Sequence, residues 1–564
     1  MRMQSRTSIL ASVLAVSLVG LAGCGSSEPP KNTAPNAHDV TAKCQKLEKK
    51  AQEKTGKGEN TFVFAASTDP TSLNPFHTND SDSFRIAHQI FEGLVWAKPC
   101  SPDPAPRLAT KWNSSKDGKT YTFQLRKGVK FQDGTDFDSK AVCYNFEHMN
   151  NQPPGVARTE AASYEWKHIF KGFGSHSIYR SCETDGSHKV TIQLKSAFAG
   201  FLGALTSPAF AMQSPTALKK WDQVKAGEDP TSSEYATKHP TGTGPYKFVS
   251  WKKGKQVTLK RFDGYWGQKA KTPRVIITTI QDAQARANAL AAGDIDGFDL
   301  VAPGDIGSLQ KKGFDLIQRP PFNILYLGMN QKVKALSNIK VRKAIAYALN
   351  KEKIVKQTMT PGSTVAKEFI PKSVIGYNPD VTQYKYNPKK AKELLKKAGY
   401  PNLTLEFNYP TDVSRPYMPS PKDTFNEIRD ELKAVGITIK PVADQWTDYL
   451  NRTSGTSDHG IHILGWTGEY NSADNFLGTF FGAQHAEWGF NNPQLFKKLA
   501  HAKQLPTTDE QETAYKKINE DIMKFLPGIP LGNGAPSLAF DPKVKGYVPS
   551  PVEDEVWNQV VVEK

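Results

Sequence analysis

Hydrophobic and polar residues alternate in the first third of the chain, beginning with a short strand-like run at residues 61–65. Between residues 119 and 131, apolar side chains occupy alternate positions over most of the segment, with Asp-Gly turns on both sides. Residues 190–194 repeat this alternation. A period of two is typical of strands with one buried face. We therefore predict a small antiparallel subdomain between about 91 and 239.

A different pattern, in which helices alternate with strands, occupies residues 387–470. The first predicted helix starts at Asn387 and Pro388 and ends at Gly399, and the second carries an apolar stripe that ends at Gly436. Strand-like runs stand around these helices at residues 403–407, 437–439 and 461–464. The order β-α-β-α-β is the one that a parallel sheet requires.

The loops after these strands carry candidate ligand-binding residues. In open α/β sheets, ligands bind beyond the carboxyl ends of the strands. One such loop carries Arg415, and another carries Trp466 and Glu469. A guanidinium and a carboxylate beside an indole suit a ligand with one negative and one positive end. In the alternative interpretation Arg415 pairs with Asp412, Glu469 stays solvated and Trp466 belongs to the core.

The first residues indicate export. Arg2 and Arg6 precede an apolar stretch at residues 9–21, which is too short to span a bilayer but suits a signal peptide. The stretch ends in Leu-Ala-Gly-Cys24, which resembles the bacterial lipobox, whose cysteine is acylated. The alternative is an ordinary export signal with a chance cysteine. Residues 25–59 are rich in Ser, Pro, Asn and Lys, which favours a flexible tether.

The remaining cysteines are Cys44, Cys100, Cys143 and Cys182, an even set in an exported chain. Two disulfides are therefore plausible, with three possible connectivities. We favour the pairs of sequence neighbours, Cys44–Cys100 and Cys143–Cys182. Buried free thiols are the alternative.

Composition narrows the function classes. The 564 residues are 38% hydrophobic and 23% charged, with a formal net charge of +17, which excludes collagen, low-complexity disorder and a polytopic membrane protein. The sequence has no phosphate-binding loop, nucleophile elbow, zinc-protease helix or calcium-binding loop. His459 and His462 would lie on opposite faces of a strand, which argues against shared metal ligation. We expect no catalytic site, no metal, no cofactor and no nucleic-acid partner.

Several short blocks, read together, carry a family resemblance. The chain resembles the peptide/nickel class, family 5, of extracellular solute-binding proteins, the receptors of ABC importers, over nearly all of its length after about residue 60. These proteins have a two-lobed α/β fold of the class II periplasmic-binding-protein type with an extra small antiparallel subdomain, and close on the ligand by hinge motion. The matching blocks are at residues 72–75, 91–94, 117–123, 129–134, 242–246, 265–266, 292–296, 341–344 and 474–476.

The resemblance implies a division of the chain, a monomer, and a cleft between the first and third domains. The predicted division is a signal peptide at 1–24, a tether at 25–59, domain I at 60–90, 240–325 and 531–564, domain II at 91–239, and domain III at 326–530.

The resemblance also implies roles for site residues. Dipeptide receptors of this class hold the ligand carboxylate with the arginine of an R-P-Y-x-P loop, which corresponds here to Arg415 with Tyr417. They hold the ligand ammonium with an aspartate three residues after a tryptophan. This sequence has Trp466 followed by Thr467, Gly468 and then Glu469, one methylene longer than aspartate.

Main-chain contacts to the ligand are expected from Asn79 to Ser81, where a peptide would add as a strand.

The sequence thus predicts a substrate-binding receptor of an ABC importer, not an enzyme, that captures short peptides and delivers them to a membrane permease. It would be lipid-anchored at Cys24 to the outer face of the cytoplasmic membrane, in an envelope of the Gram-positive type. The alternatives are the same receptor with a metal chelate, an oligosaccharide or a cationic small molecule as ligand, and a surface-anchored hydrolase.

Overall fold

The computed structural model describes residues 37–53, 60–153, 164–225 and 228–563, which belong to one compact unit. The predicted signal peptide and the lipidation site at Cys24 lie outside the described residues. Among the helices that are described, none has both the length and the apolar character needed to cross a membrane.

The strands, numbered in chain order, are Phe62–Ala66 (β1), Val95–Ala97 (β2), Pro104–Pro106 (β3), Ala109–Ser114 (β4), Thr120–Leu125 (β5), Tyr179–Thr184 (β6), Lys189–Leu194 (β7), Tyr246–Lys252 (β8), Gln256–Arg261 (β9), Arg274–Thr279 (β10), Gly297–Phe298 (β11), Asp315–Gln318 (β12), Asn323–Met329 (β13), Thr364–Val365 (β14), Leu403–Pro410 (β15), Ile437–Asp444 (β16), Ile461–Thr467 (β17), Gly528–Asn533 (β18), Ser537–Phe540 (β19), Val544–Lys545 (β20) and Val561–Val562 (β21).

The helices are Ala37–Glu53 (α1), Ser81–Ile90 (α2), Ser139–Asn150 (α3), Tyr164–Phe170 (α4), Phe201–Ala204 (α5), Pro215–Trp221 (α6), Glu234–Lys238 (α7), Ala283–Ala292 (α8), Pro303–Lys311 (α9), Lys334–Ser337 (α10), Ile339–Ala348 (α11), Lys351–Thr358 (α12), Pro388–Lys397 (α13), Pro421–Ala434 (α14), Trp446–Leu450 (α15), Thr479–Phe481 (α16), Pro493–Lys503 (α17) and Thr508–Phe525 (α18).

The chain returns twice to a mixed sheet that runs, within the described ranges, in the order β12-β19-β11-β1-β10-β9-β8. Here β1 is parallel to β10 and β11, and the other neighbours are antiparallel. Its core contains Phe62, Phe64 and Trp557, so strand β1 packs with a segment near the end of the described chain. Segments far apart in sequence therefore build one sheet.

A second sheet has the order β14-β18-β13-β17-β15-β16. Strand β15 is parallel to both β16 and β17, with α14 between β15 and β16, which confirms the predicted parallel run. The strands continue past the predicted ends, to Pro410, Asp444 and Thr467. Antiparallel β13 then pairs with β17, so the complete sheet is mixed.

A third, antiparallel sheet has the order β4-β5-β7-β6. In β5, buried side chains alternate with partly exposed ones, as the period of two predicted. Helix α4 covers this sheet with Trp166, Ile169 and Phe170, all in its core.

Two predicted domain boundaries cut strands of the second sheet, and the first is the boundary after residue 325, which β13 crosses at Asn323–Met329. Strand β18, at Gly528–Asn533, pairs with β13 of the second sheet, although the prediction divides the chain at residue 530. The division into three domains stays a prediction.

The predicted flexible tether is wrong for residues 37–53, which form helix α1. Val40, Cys44 and Ala51 of this helix are buried. These positions lie three to four residues apart or at a multiple of that spacing, the stripe that a surface helix needs to pack. The many lysines around the stripe hid it in the sequence.

Disulfides join Cys44 to Cys100 and Cys143 to Cys182, the two pairs of sequence neighbours. The first attaches α1 to the body of the protein, and the second joins α3 to β6. The alternative of free thiols does not describe this structure.

The expectation that His459 and His462 lie apart is wrong. Their ring centres are 4.8 Å apart, because His459 precedes β17 and does not follow its pleat. Within the ranges listed above, no group of three or more His, Cys, Asp or Glu side chains is placed to hold a metal ion.

Candidate functional site

A cavity of about 350 Å³ lies at the carboxyl ends of β15 and β17. Its opposite wall comes from α2 and from segments near residues 206–208 and 552–554. The predicted ligand residues all line it: Asn79, Ser81, Arg415, Tyr417, Trp466, Thr467, Gly468 and Glu469. The structure thus brings them together, while their binding roles stay predictions.

Arg415 stands in a tight turn with its side chain on the cavity. The turn is closed by two main-chain bonds, in which Arg415 and Met418 each donate an N–H to the other's carbonyl, at 3.1 and 2.9 Å. The guanidinium lies 4.4 Å from the ring centre of Trp446. Its Nε is buried and, among the residues described, has no hydrogen-bond partner.

The alternative pairing of Arg415 with Asp412 is wrong. The Asp412 carboxylate instead accepts the main-chain N–H of Trp446, at 2.8 Å, at the start of α15. Within the described ranges the Arg415 Nε has no partner, and a planar guanidinium can donate two parallel bonds to a carboxylate.

The ring of Tyr417, in the same turn, leaves no room for a side chain at Gly465, the residue before Trp466. Tyr417 is 6% exposed, and burial raises the pKa of its hydroxyl to about 12. A Cβ on Gly465 would lie 2.3 Å from the Tyr417 ring and 2.2 Å from the Ile324 carbonyl oxygen. Only glycine lets strand β17 pass this close to the arginine loop.

The segment after Trp466 is fixed by a second glycine. Gly468 donates its N–H to the Phe322 carbonyl at 2.9 Å, and a Cβ there would meet the rings of Phe322 and Phe476 at 2.4 and 2.6 Å. The Trp466 Nε1 donates to Asn475 Oδ1 at 3.4 Å, and its ring lines the cavity. Trp466 is therefore partly buried wall, not interior core.

Glu469 is held from two sides. Its main-chain N–H donates to Asn475 Oδ1 at 2.8 Å, and its carboxylate accepts from Asn475 Nδ2 at 3.1 Å. Glu165 of α4 lines a second cavity together with Glu469, and burial raises the pKa of both carboxyl groups. Glu469 is partly exposed and bonded to Asn475, so it is not a freely solvated side chain.

Asn79 and Ser81 lie where α2 begins. Between them Asp80 caps the helix, accepting the Ser83 N–H at 2.8 Å and the Thr78 hydroxyl at 2.6 Å. The start of a helix carries unpaired N–H groups and partial positive charge. This wall of the cavity therefore offers main-chain donors.

The sequence interpretation missed several lining residues. They come from distant segments without a motif, and Trp446 begins the short helix α15. The additional residues are Phe84, His88, Tyr164, Thr206, Ser207, Pro208, Trp446, Val552, Glu553 and Asp554.

Two of these residues add carboxyl groups to the cavity. Glu553 has a φ of 61°, the left-handed region that non-glycine residues adopt at a cost and that often marks functional sites. Burial raises the pKa of the Glu553 carboxyl and raises that of Asp554 to about 7. Together with Glu469, they give the cavity more carboxyl groups than its one arginine balances.

The comparison with protein families decides the classification. The model of the bacterial extracellular solute-binding proteins, family 5, matches residues 103–488. The chain belongs to this family. Its members are the extracytoplasmic solute-binding proteins of ABC importers.

Two curated family 5 proteins match almost the whole chain. The dipeptide-binding protein of Escherichia coli is 30% identical over 527 residues, with 89% of this chain and 95% of that protein covered. Heme-binding protein A of Haemophilus influenzae is 29% identical over 526 residues, with 91% and 94% covered.

A solved structure shows the same fold. The periplasmic binding protein DppA of Helicobacter pylori, in complex with the peptide STSA, superimposes with a TM-score of 0.73 at 28% identity, covering 90% of this chain and 99% of that one. The predicted fold class, a family 5 periplasmic-binding-protein fold of mixed α/β type, is thus confirmed.

Proposed function

We propose that this family 5 protein captures short peptides with free ends and delivers them to a membrane permease. The observation that supports this most is the placement of an unpaired guanidinium, Arg415, and a carboxyl group, Glu469, on one cavity. Arg415 would hold the peptide carboxylate, and Glu469 the ammonium. A ligand with both charges is the chemistry that fits both groups at once.

The other residues that line the cavity suit the backbone of a peptide ligand between its two charged ends. The main chain of Asn79 to Ser81 would pair with the peptide as an added strand. Trp446 and Trp466 supply apolar walls, and Tyr417 supplies a buried hydroxyl. A volume of about 350 Å³ is near the lower end of small-molecule sites, which supports a short peptide.

The relatives support the ligand class without fixing it. The names of the related proteins include a dipeptide and heme as ligands. The surplus of carboxyl groups over arginine favours a cationic small molecule as the second candidate ligand. The metal chelate and the oligosaccharide have no such observation in their favour.

Incubation with a mixed pool of di- to pentapeptides, followed by native mass spectrometry, tests this proposal. We expect peptides to be retained unchanged. Shortened peptides would instead indicate the surface-anchored hydrolase. Calorimetry with free, C-amidated and N-acetylated Met-Leu then tests the two ends, and equal binding of all three forms would exclude recognition of free peptides.

The proposal includes a lipid anchor on Cys24, which the lipobox at residues 21–24 supports. Cys24→Ala should release the protein into the medium or leave its signal peptide uncleaved. Cell fractionation with immunoblotting measures both. Unchanged processing and membrane retention of Cys24→Ala would contradict the anchor.

A further inference from the structure

Glu553 lines the ligand cavity in a backbone conformation that glycine adopts freely and glutamate does not. Its φ is 61°, in the left-handed region, where the Cβ of a residue other than glycine is crowded. Asn and Asp enter this region more readily, because their short side chains bond to the local main chain. Strained residues of this kind persist only where the surrounding structure imposes the conformation, and they concentrate at ligand sites.

Hydrogen bonds around Glu553 impose this conformation. Ser550 donates its main-chain N–H to the Glu555 carboxylate at 3.1 Å, which closes the loop that contains Glu553. Gln89 of α2 donates to the Glu555 carbonyl at 2.8 Å and accepts the Trp557 N–H at 2.9 Å. The loop is thus fixed to α2, the helix that forms part of the same cavity wall.

The carboxyl groups next to Glu553 have partners in the protein. Asp554 accepts the Ser550 hydroxyl, and Glu555 accepts Arg319 Nε at 2.6 Å. Arg319 attracts the Glu553 carboxylate as well, but among the described residues no hydrogen bond or ion pair involves that carboxylate. Because Glu553 is partly exposed on the cavity, its carboxylate is available to a ligand.

We propose that Glu553 selects basic ligands: its carboxylate binds the cationic side chain of a lysine or arginine in the captured peptide. This inference rests on the proposed function, in which Arg415 and Glu469 hold the two charged ends. With both ends assigned, a further carboxylate on the cavity needs a further cation, and a basic side chain is the cation that a peptide can supply. It would also balance the surplus of carboxyl groups on the cavity wall.

Charge rather than size would decide this selection. Burial raises the pKa of the Glu553 carboxyl group, because a carboxylate without a cation is costly to bury. A lysine or arginine side chain supplies that cation. An apolar side chain of similar length leaves the carboxyl group unpaired, and an acidic one adds repulsion.

Calorimetry at pH 7 with Lys-Leu, Met-Lys and Met-Leu tests the selection at both peptide positions. Methionine is close to lysine in length but carries no charge. We expect the wild type to bind at least one of the two basic dipeptides about tenfold more tightly than Met-Leu, the size of effect that a charge-assisted hydrogen bond gives. Glu553→Gln should bind all three with the affinity that the wild type has for Met-Leu. The basic dipeptide with the higher affinity shows which residue reaches Glu553.

Glu553→Gly separates ligand recognition from a structural role. Glycine relieves the strain at a φ of 61°, so the melting temperature should not fall, while the preference for basic dipeptides should be lost. A residue that only supported the loop would instead lower the melting temperature and weaken all three peptides alike. The matched control is Glu368→Gln, which should keep the preference, because Glu368 is buried and does not line the cavity.

The outcomes separate this inference from the proposed function. Equal wild-type affinity for the three dipeptides, a preference for basic dipeptides that persists in Glu553→Gln, or an equal loss for all three in Glu553→Gly would each overturn the inference and leave peptide capture in place. Failure of all three dipeptides and of every peptide in the mixed pool to bind would overturn the proposed function as well.

Discussion

The two ends of the cavity are built in different ways. At the Arg415 end, one short turn supplies the guanidinium, its main-chain geometry and Tyr417, and the packing partners Trp446 and Gly465 belong to the same sheet region. At the Glu469 end, the carboxyl group lines a second cavity together with Glu165 of α4, which comes from a distant part of the chain. One end is thus a local structure, and the other exists only when two parts of the fold come together.

This difference has a functional meaning. A local turn holds its geometry whatever the rest of the molecule does. A contact between two cores changes when these cores move. The Glu469 end is therefore the one at which binding can act on the arrangement of the whole protein.

The largest effect is expected at the end that joins two cores. Glu469→Gln removes the charge opposite the peptide ammonium and should weaken binding by about 2–5 kcal/mol, much of it from the unpaired ligand charge. Calorimetry with Met-Leu measures it. N-acetyl-Met-Leu is the control, because it has no ammonium and should bind wild type and variant alike. An equal loss for both peptides would mean that Glu469 does not recognise the amine.

Arg415→Lys should weaken Met-Leu binding by about 1.5–3 kcal/mol, because an ammonium cannot donate two parallel bonds to a carboxylate. The local turn should remain intact, so the melting temperature should stay within about a degree or two of wild type. C-amidated Met-Leu should show little difference between the two proteins. Equal affinity of wild type and Arg415→Lys for free Met-Leu would contradict the assigned role.

Gly465→Ala tests the connection between the two ends. Its Cβ would lie 2.2 Å from a main-chain oxygen and 2.3 Å from the Tyr417 ring, so the strand or the arginine loop must move. We expect a loss of about 1–3 kcal/mol in the free energy of unfolding, measured by denaturant titration. Gly455→Ala is the control, because no atom lies within 4 Å of its Cβ position. Equal stability of both variants would refute the tight fit.

The buried carboxyl groups of Glu165 and Glu469 predict a pH dependence of stability. Burial raises the pKa of Glu165 and Glu469, so the folded protein binds protons that the unfolded chain releases above about pH 4.5. The stabilisation is complete below that pH and is lost as the pH rises through the raised values.

Glu165→Gln should therefore flatten the decrease in melting temperature between pH 5 and 8. Asp554 and Glu368, whose pKa values lie at about 7 and about 8, contribute equally to both proteins and cancel in the difference. Parallel curves for wild type and Glu165→Gln would contradict the raised pKa of Glu165.

Trp446→Leu should have the smallest effect. The ring lies 4.4 Å from the Arg415 guanidinium, and its loss should weaken Met-Leu binding by about 0.5–1 kcal/mol. Calorimetry against C-amidated Met-Leu separates this contribution from a general loss of packing. A loss as large as that of Arg415→Lys would show that the turn depends on Trp446.

The features that the sequence predicted are those with a local signal. The parallel run at 403–464 follows from helix caps and apolar periods, and Arg415 stands in a turn that contains Pro416 and is followed by Pro419. Helix α1 was missed because its buried stripe is narrow and interrupted by lysines. Glu165 was missed because no local pattern marks a carboxyl group whose only relevant neighbour lies 304 positions away in the chain.

Because helix α1 packs against the body of the protein, only the segment between Cys24 and Ala37 can separate the proposed lipid from that body. With a lipid on Cys24, the 13 residues to Ala37 reach at most about 47 Å, because an extended chain spans no more than 3.6 Å per residue. Size scaling gives a body of this length a diameter of roughly 60 Å. This reach is shorter than the diameter of the body, so the receptor would stay beside the membrane. A permease in the same area of the membrane would therefore meet it at a high effective concentration.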